Sequence, residues 1–266
     1  EIVRGGHSDA MDWDRHLAHV SNIYDLLLPY ILTDGRLSED NLSIRESGNG
    51  IPDLLDEARN EVDFFLSIRD GEAYSQGVTN PSADWTVMYQ AGCTTMAAWA
   101  NAANCAMLGE AFRIHGDEEL CRYYTAEAIK AFRFAEKQAV SQLDDWQNIG
   151  TSSMRGRDFK QMAAAFIYNL TGDTQWEDIM VAESVAKDGV APLFSKERRN
   201  NYYQIWGAAA YLACPQERHY PEYYDNLVKS VNKQADENNV CHMTARPSRR
   251  TANDPRWQTS ENLQMV

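Results

Sequence analysis

The sequence predicts an all-α fold of paired antiparallel helices, and three observations carry that prediction. Apolar residues recur at three- and four-residue steps over several long segments, the stripe expected of helices packed on one side. Short Gly-Asp or Pro turns join these segments in pairs, at His115-Gly116-Asp117, at Thr171-Gly172-Asp173 and between Pro215 and Pro221. No convincing strand run competes with them.

The first helix is expected from Asp12 to Leu32, where Leu17, Val20, Ile23, Tyr24, Leu27, Leu28 and Ile31 form one stripe and Pro29 is placed to kink or shorten it. Asp34-Gly35 breaks the pattern, and Ser47-Gly48-Asn49-Gly50 closes a polar connection. A second helix starts at Ile51, with Pro52 suited to its first turn and Asp53, Asp56 and Glu57 near the positive end of its dipole. Its stripe is Ile51, Leu54, Leu55, Ala58, Val62 and Phe65. The acidic Asp53, Asp56, Glu57 and Glu61 are expected mostly on its solvated outer face.

Residues 71–92, with Gly71, Gly77, Asn80, Pro81 and Gly92, show no sustained period and read as a long loop, a kind of segment that is commonly functional. Helical patterns resume at about 93–115 and 117–138, then from about 155 and from about 174, and at about 201–213 and 221–238. Ser260 to Val266 reads as the opening of a further helix. The composition shifts nowhere, so residues 1–266 are expected to form part of a single domain with a repeating hairpin architecture.

At 266 residues the chain can bury one large core, and 44% hydrophobic and 11% aromatic residues exclude a disordered segment. Its apolar runs are too short and interrupted to span a bilayer, so no membrane insertion is expected. Lys and Arg number 25 against 39 Asp and Glu, and the formal charge of −14 would repel a phosphate backbone, which argues against nucleic acid as a partner. A neutral or cationic sugar chain is compatible with that charge. Cys93, Cys105, Cys121, Cys214 and Cys241 are odd in number and include no C-x-x-C pair; they read as free, mostly buried thiols. The chain opens at Glu1 without an initiator Met and ends abruptly, which leads to the expectation of a processed product or a fragment with a continuation.

Chemistry concentrates in Arg4-Gly5-Gly6-His7-Ser8-Asp9-Ala10-Met11-Asp12-Trp13-Asp14. On a helix, Asp9 and Asp12 would share one face and could hold a water between them. Inverting sugar hydrolysis needs a carboxylate to activate water and a separate acid roughly 6.5–9.5 Å away. Spacing alone favours a plainer reading, in which Asp9 is a helix N-cap with Asp12 as its N3 partner and Ser8 as a rival cap. Asp14, two residues beyond Asp12, is expected to point away from the Asp9/Asp12 face, and Arg15 and His16 are candidates to compensate the paired carboxylates. His7, His16 and His19 with the three aspartates could suggest a metal cluster, but no H-E-x-x-H spacing accompanies them, so no metal and no cofactor are expected. G-x-S-x-G, Walker and Rossmann fingerprints are absent from the sequence, which removes the serine-nucleophile, nucleotide and dinucleotide readings.

Trp13, Trp85, Trp146, Trp206 and Trp257 are possible platforms for the apolar face of a sugar ring. Trp206, inside Gln204-Ile205-Trp206-Gly207-Ala208-Ala209, is expected in the core instead. Trp13 belongs to the motif and Trp85 to the long loop, while Trp257 follows Arg246-Pro247-Ser248-Arg249-Arg250 in a second loop-like stretch. The loops at 71–92 and 241–257 are expected to flank the same cleft as Asp9 and Asp12.

Gly5-Gly6-His7-Ser8-Asp9-Ala10-Met11-Asp12 resembles the Gly-Gly-Trp-x-Asp-Ala-Gly-Asp segment of glycoside hydrolase family nine, the cellulase family. Ile51-Pro52-Asp53-Leu54-Leu55-Asp56-Glu57-Ala58 is similar to the start of that family's second barrel helix. The resemblance implies an (α/α)6 barrel, incomplete at its C-terminal side, and an inverting, endoglucanase-like hydrolase of β-1,4-linked glucan. It implies that Asp12 is the catalytic base, that Asp9 helps to hold the attacking water, and that the general acid is a glutamate beyond Val266. His7, Trp13, Trp85, Arg246 and Trp257 are the expected contacts to a β-linked glucan or amino-sugar oligosaccharide, and a secreted or periplasmic location goes with the family. His7 stands where the family has an aromatic residue and Met11 where it has glycine, and Asp14-Arg15-His16 is a charged cluster untypical of its cellulases. Those departures admit an exo-acting β-glucosaminidase on chitosan oligomers as an alternative, and a barrel without a complete acid and base pair would be a non-catalytic carbohydrate-binding protein.

Overall fold

The computed structural model describes residues 5–7, 13–15, 19–80, 84, 86–138, 146–149, 152–195 and 201–236. Among them eight helices follow one another in four pairs: α1 (Val20–Leu32) and α2 (Asp53–Ser67), α3 (Thr95–His115) and α4 (Glu118–Gln138), α5 (Gly156–Thr171) and α6 (Thr174–Glu183), α7 (Ile205–Leu212) and α8 (Pro221–Ala235). The first member of each pair packs against the first member of the next, α1 on α3, α3 on α5 and α5 on α7, while the second members lie against their own partners. That is the inner and outer layering of a helical barrel.

Composition decides which helix goes inside. From Thr95 to Gly109 α3 is alanine-rich and uncharged, and it is buried on every side from Thr95 to Phe112. By contrast α4 buries only Tyr124, Ala128, Ala131, Phe132 and Ala135, a single stripe at three- and four-residue steps. Aromatic rings bridge the layers, Trp99 of α3 against Phe132 of α4 at 4.7 Å between centroids and Phe132 against Trp176 of α6 at 4.9 Å. Tyr24 of α1 meets Trp206 of α7 at 4.7 Å, and its hydroxyl donates to Asn104 Oδ1 of α3 at 2.6 Å. The inner helices therefore close around a shared centre, and Trp206 is a core residue as its sequence context predicts.

The turns follow the sequence closely. Gly116 and Gly172 take left-handed φ of 89° and 66° at the ends of α3 and α5, and Asp117 and Asp173 accept the Leu120 and Gln175 N–H groups at 2.9 and 3.1 Å as caps of α4 and α6. Pro29 is accommodated within α1.

Three expectations are corrected. Helix α1 begins at Val20 rather than Asp12, with His19 as its N-cap residue, because Trp13–Arg15 form a strand, β1, whose backbone groups are taken up by a neighbouring strand. The reading of Asp9 and Asp12 as cap and N3 partner lies outside the described residues. Second, short strands do exist. β1 pairs antiparallel with β2 (Gly77–Thr79), which pairs with β3 (Tyr89–Gln90); β4 (Trp146–Ile149) pairs with β5 (Ser152–Arg155), and β6 (Phe194–Ser195) with β7 (Tyr202–Tyr203). Runs of two to four residues are too short to display an alternating pattern, so periodicity could not reveal them.

Third, three of the four acidic residues expected on a solvated face of α2, Asp53, Asp56 and Glu61, are buried, while Glu57 is partly exposed. The connection before α2 folds back over its first turn, so that Asp53 accepts Leu42 N–H at 2.5 Å and Ser47 Oγ–H at 2.8 Å, and Asp56 accepts Asn49 Nδ2–H at 2.8 Å. Donors from the loop, added to the helix dipole, make burial of these carboxylates tolerable. Among the described residues no helix is long and apolar enough to cross a membrane. Cys105 and Cys214 are buried free thiols, Cys121 is half-buried and Cys93 is exposed.

Candidate active site

Segment 5–7 runs across α2 in a path that only glycine permits. Gly5 and Gly6 take φ of +90° and +92°, and a Cβ on Gly5 would lie 2.7 Å from the Asn60 carbonyl oxygen. One on Gly6 would collide with Asp14 Oδ2 and approach the Phe64 ring at 3.1 Å. Close approach lets Gly6 N–H donate to Asn60 O at 3.3 Å, while Asn60 Nδ2–H donates back to Gly6 O at 3.3 Å. The chain is thereby fixed on the middle of α2.

His7, the next residue, is the hub of the described site. Its backbone N–H donates to Asp14 Oδ2 at 2.6 Å, its Nε2 lies 2.8 Å from Glu57 Oε1, and its Nδ1 lies 3.6 Å from Glu61 Oε2. Asp14 is itself buried and faces His19 Nδ1 at 3.0 Å from its other oxygen. Asp14 is thus buried, while the Asp9/Asp12 face from which it is expected to point away lies outside the described residues. As the middle residue of β1, it turns inward onto the glycine segment and α2.

Glu61 completes the cluster with no exposed surface at all. Burial pushes its carboxyl up to about 9, and the adjacent Asp14 charge adds to the rise. His7, Asn22, Asp25, Leu26 and Glu57 line a surface pocket of about 430 Å³ beside this cluster. Among the described residues no group of three His, Cys, Asp or Glu side chains is arranged to hold a metal ion.

The long loop comes back to the motif through the sheet. Trp13 pairs with Thr79, Asp14 with Val78 and Arg15 with Gly77, and Thr79 pairs in turn with Tyr89. Residues 71–92 thus supply two strands at the motif's own strand, and Tyr89 there is half exposed. Asp9, Asp12, His16, Trp85, Arg246 and Trp257 lie outside the described residues, as do the expected helix from Ser260 and Cys241. Trp13 is placed by its backbone in β1, and His7 is described in full.

The sequence places Asp14 away from the Asp9/Asp12 face and Glu61 on a solvated helix face, and gives Tyr89 no role. For Glu61 the signal was present: it stands three residues after Ala58 and four before Phe65, on the apolar stripe itself rather than opposite it. For Asp14 it was hidden by reading the segment as helix, where a strand reverses the side-chain geometry.

No family model matches the sequence, and no curated protein does. Solved structures match its fold. A glycoside hydrolase family nine protein of Bacteroides ovatus superposes with a TM-score of 0.66 at 22% identity, over 87% of this chain and 46% of its own. A metagenome-derived endoglucanase of the same family gives 0.64 at 21% identity, over 88% and 48%. A thermostable endoglucanase variant from Alicyclobacillus acidocaldarius gives 0.66 at 18% identity, over 87% and 46%. The chain thus spans less than half the length of each of these structures, and over that span it has the (α/α) barrel fold of the family nine endoglucanases.

Proposed function

We propose that this chain carries the water-activating side of an inverting glycoside hydrolase acting on β-1,4-linked glucan, with Asp12 as base and Asp9 positioning the water. The observation that carries the reading is the anchorage of the opening motif. Gly6 and His7 are bonded to α2, and Asp14 accepts the His7 N–H, on either side of the Ser8–Trp13 stretch, in a fold shared with endoglucanases. A base must be held rigidly within reach of the water it activates, and a segment pinned at both ends suits that task. The acid that protonates the leaving oxygen is assigned to no glutamate of residues 1–266. Among the similar structures, one is in complex with a cellobiose-like isofagomine and another with cellotetraose, which supports a β-glucan as the substrate class. His7, Trp13, Trp85, Arg246 and Trp257 are the proposed sugar contacts, with secretion or export to the periplasm as the setting.

The pocket beside His7 favours one second reading. Asp25 and Glu57 line it, and an acidic wall suits the ammonium group of a glucosamine unit. Reducing-sugar release from β-1,4-glucan, mixed-linkage glucan and chitosan oligomers separates the two. Release from the glucans with the inverted anomer as first product is the expected outcome; release from chitosan alone would select the glucosaminidase, and the retained anomer would remove Asp12 as base.

A further inference from the structure

Helix α2 carries two sets of residues at i, i+4 and i+7 that are offset by two positions, so they look out from opposite sides of the helix. Glu57, Glu61 and Phe64 form the first and lie against His7 and Gly6. Arg59, Asp63 and Leu66 form the second, and Glu119 and Tyr123 of α4 stand across from them over a surface pocket of about 460 Å³. That volume lies in the range of small-ligand sites. The polar groups at this pocket hold one another in place. Tyr124, buried and stacked on Phe112 of α3 at 5.7 Å, donates its O–H to Asp63 Oδ1 at 2.7 Å. Arg59 Nε closes the triangle, 3.3 Å from Asp63 Oδ2 and 3.2 Å from the Tyr124 oxygen. Arg69, also at the pocket, is tied to Glu127 at 2.7 Å and to Leu66 O at 3.1 Å. Tyr123 braces its ring on Tyr124 at 4.9 Å and 76°, and is 48% exposed.

We propose that this pocket is a second carbohydrate site, in which Tyr123 stacks on the apolar face of a neutral pyranose while Arg59 and Asp63 bond its hydroxyls. Charge selects the class of ligand. Arg59 and Arg69 are matched at the pocket by Asp63 and Glu119, and each arginine already carries a carboxylate, Asp63 at 3.3 Å and Glu127 at 2.7 Å. A phosphate or carboxylate ligand would have to displace those partners and approach a chain of net charge −14, and an ammonium group would meet two guanidinium groups. A hydroxyl both donates and accepts, so it suits a lining that sets guanidinium donors beside a carboxylate acceptor. Arg59 and Asp63 stay partly exposed and can reach such a ligand. Because their geometry is already fixed, little freedom is lost when they bind it. Lying on the other side of α2 from the glycine segment, the site would retain a long chain without touching the opening motif, raising its local concentration and not the rate of cleavage. Taking that chain to be a β-1,4-glucan rests on the function proposed above; the neutral-sugar class rests on the pocket.

Titrating cellohexaose, a neutral β-1,4-glucan oligomer, into the ¹⁵N-labelled full chain tests the site directly. Amide shifts at Tyr123, Asp63 and Arg59 are the expected result, and inorganic phosphate at the same concentration should leave those amides in place. Tyr123→Ala should remove the shifts and weaken binding to insoluble cellulose about five- to tenfold, the scale of a lost ring contact, while Tyr123→Phe keeps the platform and should bind within about twofold of wild type. Turnover of soluble cellotetraose should be the same in all three proteins, since Tyr123 lies away from the motif. Cellohexaose shifts that spare Tyr123, undiminished cellulose binding by Tyr123→Ala, or shifts there with phosphate alone would overturn the proposal. The wild-type titration decides even if a variant fails to fold. Shifts at Tyr123 in a chain that cleaves no glucan would uphold the site and sink the hydrolase reading; cleavage without those shifts would do the reverse.

Discussion

Asp158 shows what a buried carboxyl can do with full satisfaction. Its oxygens accept the N–H groups of Arg155 at 2.8 Å and Tyr203 at 3.1 Å and the Gln204 amide at 3.0 Å, tying the first turn of α5 to β7 and α7. Burial pushes it up to about 6 from 3.8, with these donors pulling the other way. Replacing it by alanine leaves the Arg155 and Tyr203 N–H groups without their acceptor, at about 1–3 kcal/mol each, while the Gln204 amide keeps Glu183 O, so Asp158→Ala should lose at least about 2 kcal/mol in urea unfolding. At the motif, with Asp12 as the proposed base, Asp12→Asn should lower turnover by roughly 10²–10⁴-fold while leaving the unfolding curve in place. Asp14→Ala carries a different signature, because it removes the acceptor of His7 N–H and the neighbour of both Glu61 and His19. It should depress the urea midpoint as well as turnover, and an undisturbed midpoint would show that the buried cluster does not hold the strand.

Individual elements are set by close approaches that only glycine allows. Gly6→Ala would have to relieve a left-handed φ of +92° and contacts with Asp14 and Phe64. The left-handed conformation alone costs about 1–2 kcal/mol for a residue with a Cβ. The expected result is a far-UV circular-dichroism spectrum like the wild type's together with lost turnover, because the displaced segment belongs to the site and not to a helix. Gly207 marks the same constraint in the core, where its missing Cβ makes room for the buried Gln161 side chain between α5 and α7. Gly207→Ala overpacks that contact and should cost about 1–3 kcal/mol by urea unfolding.

On the scale of the molecule, both Asp158 and Glu61 keep protons in the native state that the unfolded chain releases. Stability should therefore fall as pH rises, through the Asp158 window of about 4 to 6 and then the wider Glu61 window that ends near 9. The urea midpoint is expected to be higher at pH 5 than at pH 8, and Glu61→Gln should flatten that slope. A midpoint that rises toward pH 8 would mean that paired surface carboxylates outweigh the two buried acids. The net charge of −14 adds self-repulsion in the same direction as more groups ionise.

Helix existence, pairing and turns were legible in the residues themselves, because a 3.6-residue apolar period over ten or more positions and a Gly-Asp turn are local signals. The stripe of α4 and the caps at Asp117 and Asp173 could be placed without any knowledge of what packs on them. The resemblance of the Gly5–Asp12 motif pointed to the same fold as the solved structures. What local pattern could not decide was which backbone groups find partners far away in sequence. Trp13–Arg15 are extended because Gly77–Thr79 lie beside them, and that pairing turns Asp14 inward and starts α1 at Val20. Glu61 read as part of an acidic surface because charge is usually solvated, yet its place on the stripe of α2 faces a segment more than fifty residues earlier in the chain. A carboxyl's burial is fixed by what the tertiary structure brings against it, and so is its protonation, which is why the chemistry of this cluster emerges only once the chain is folded.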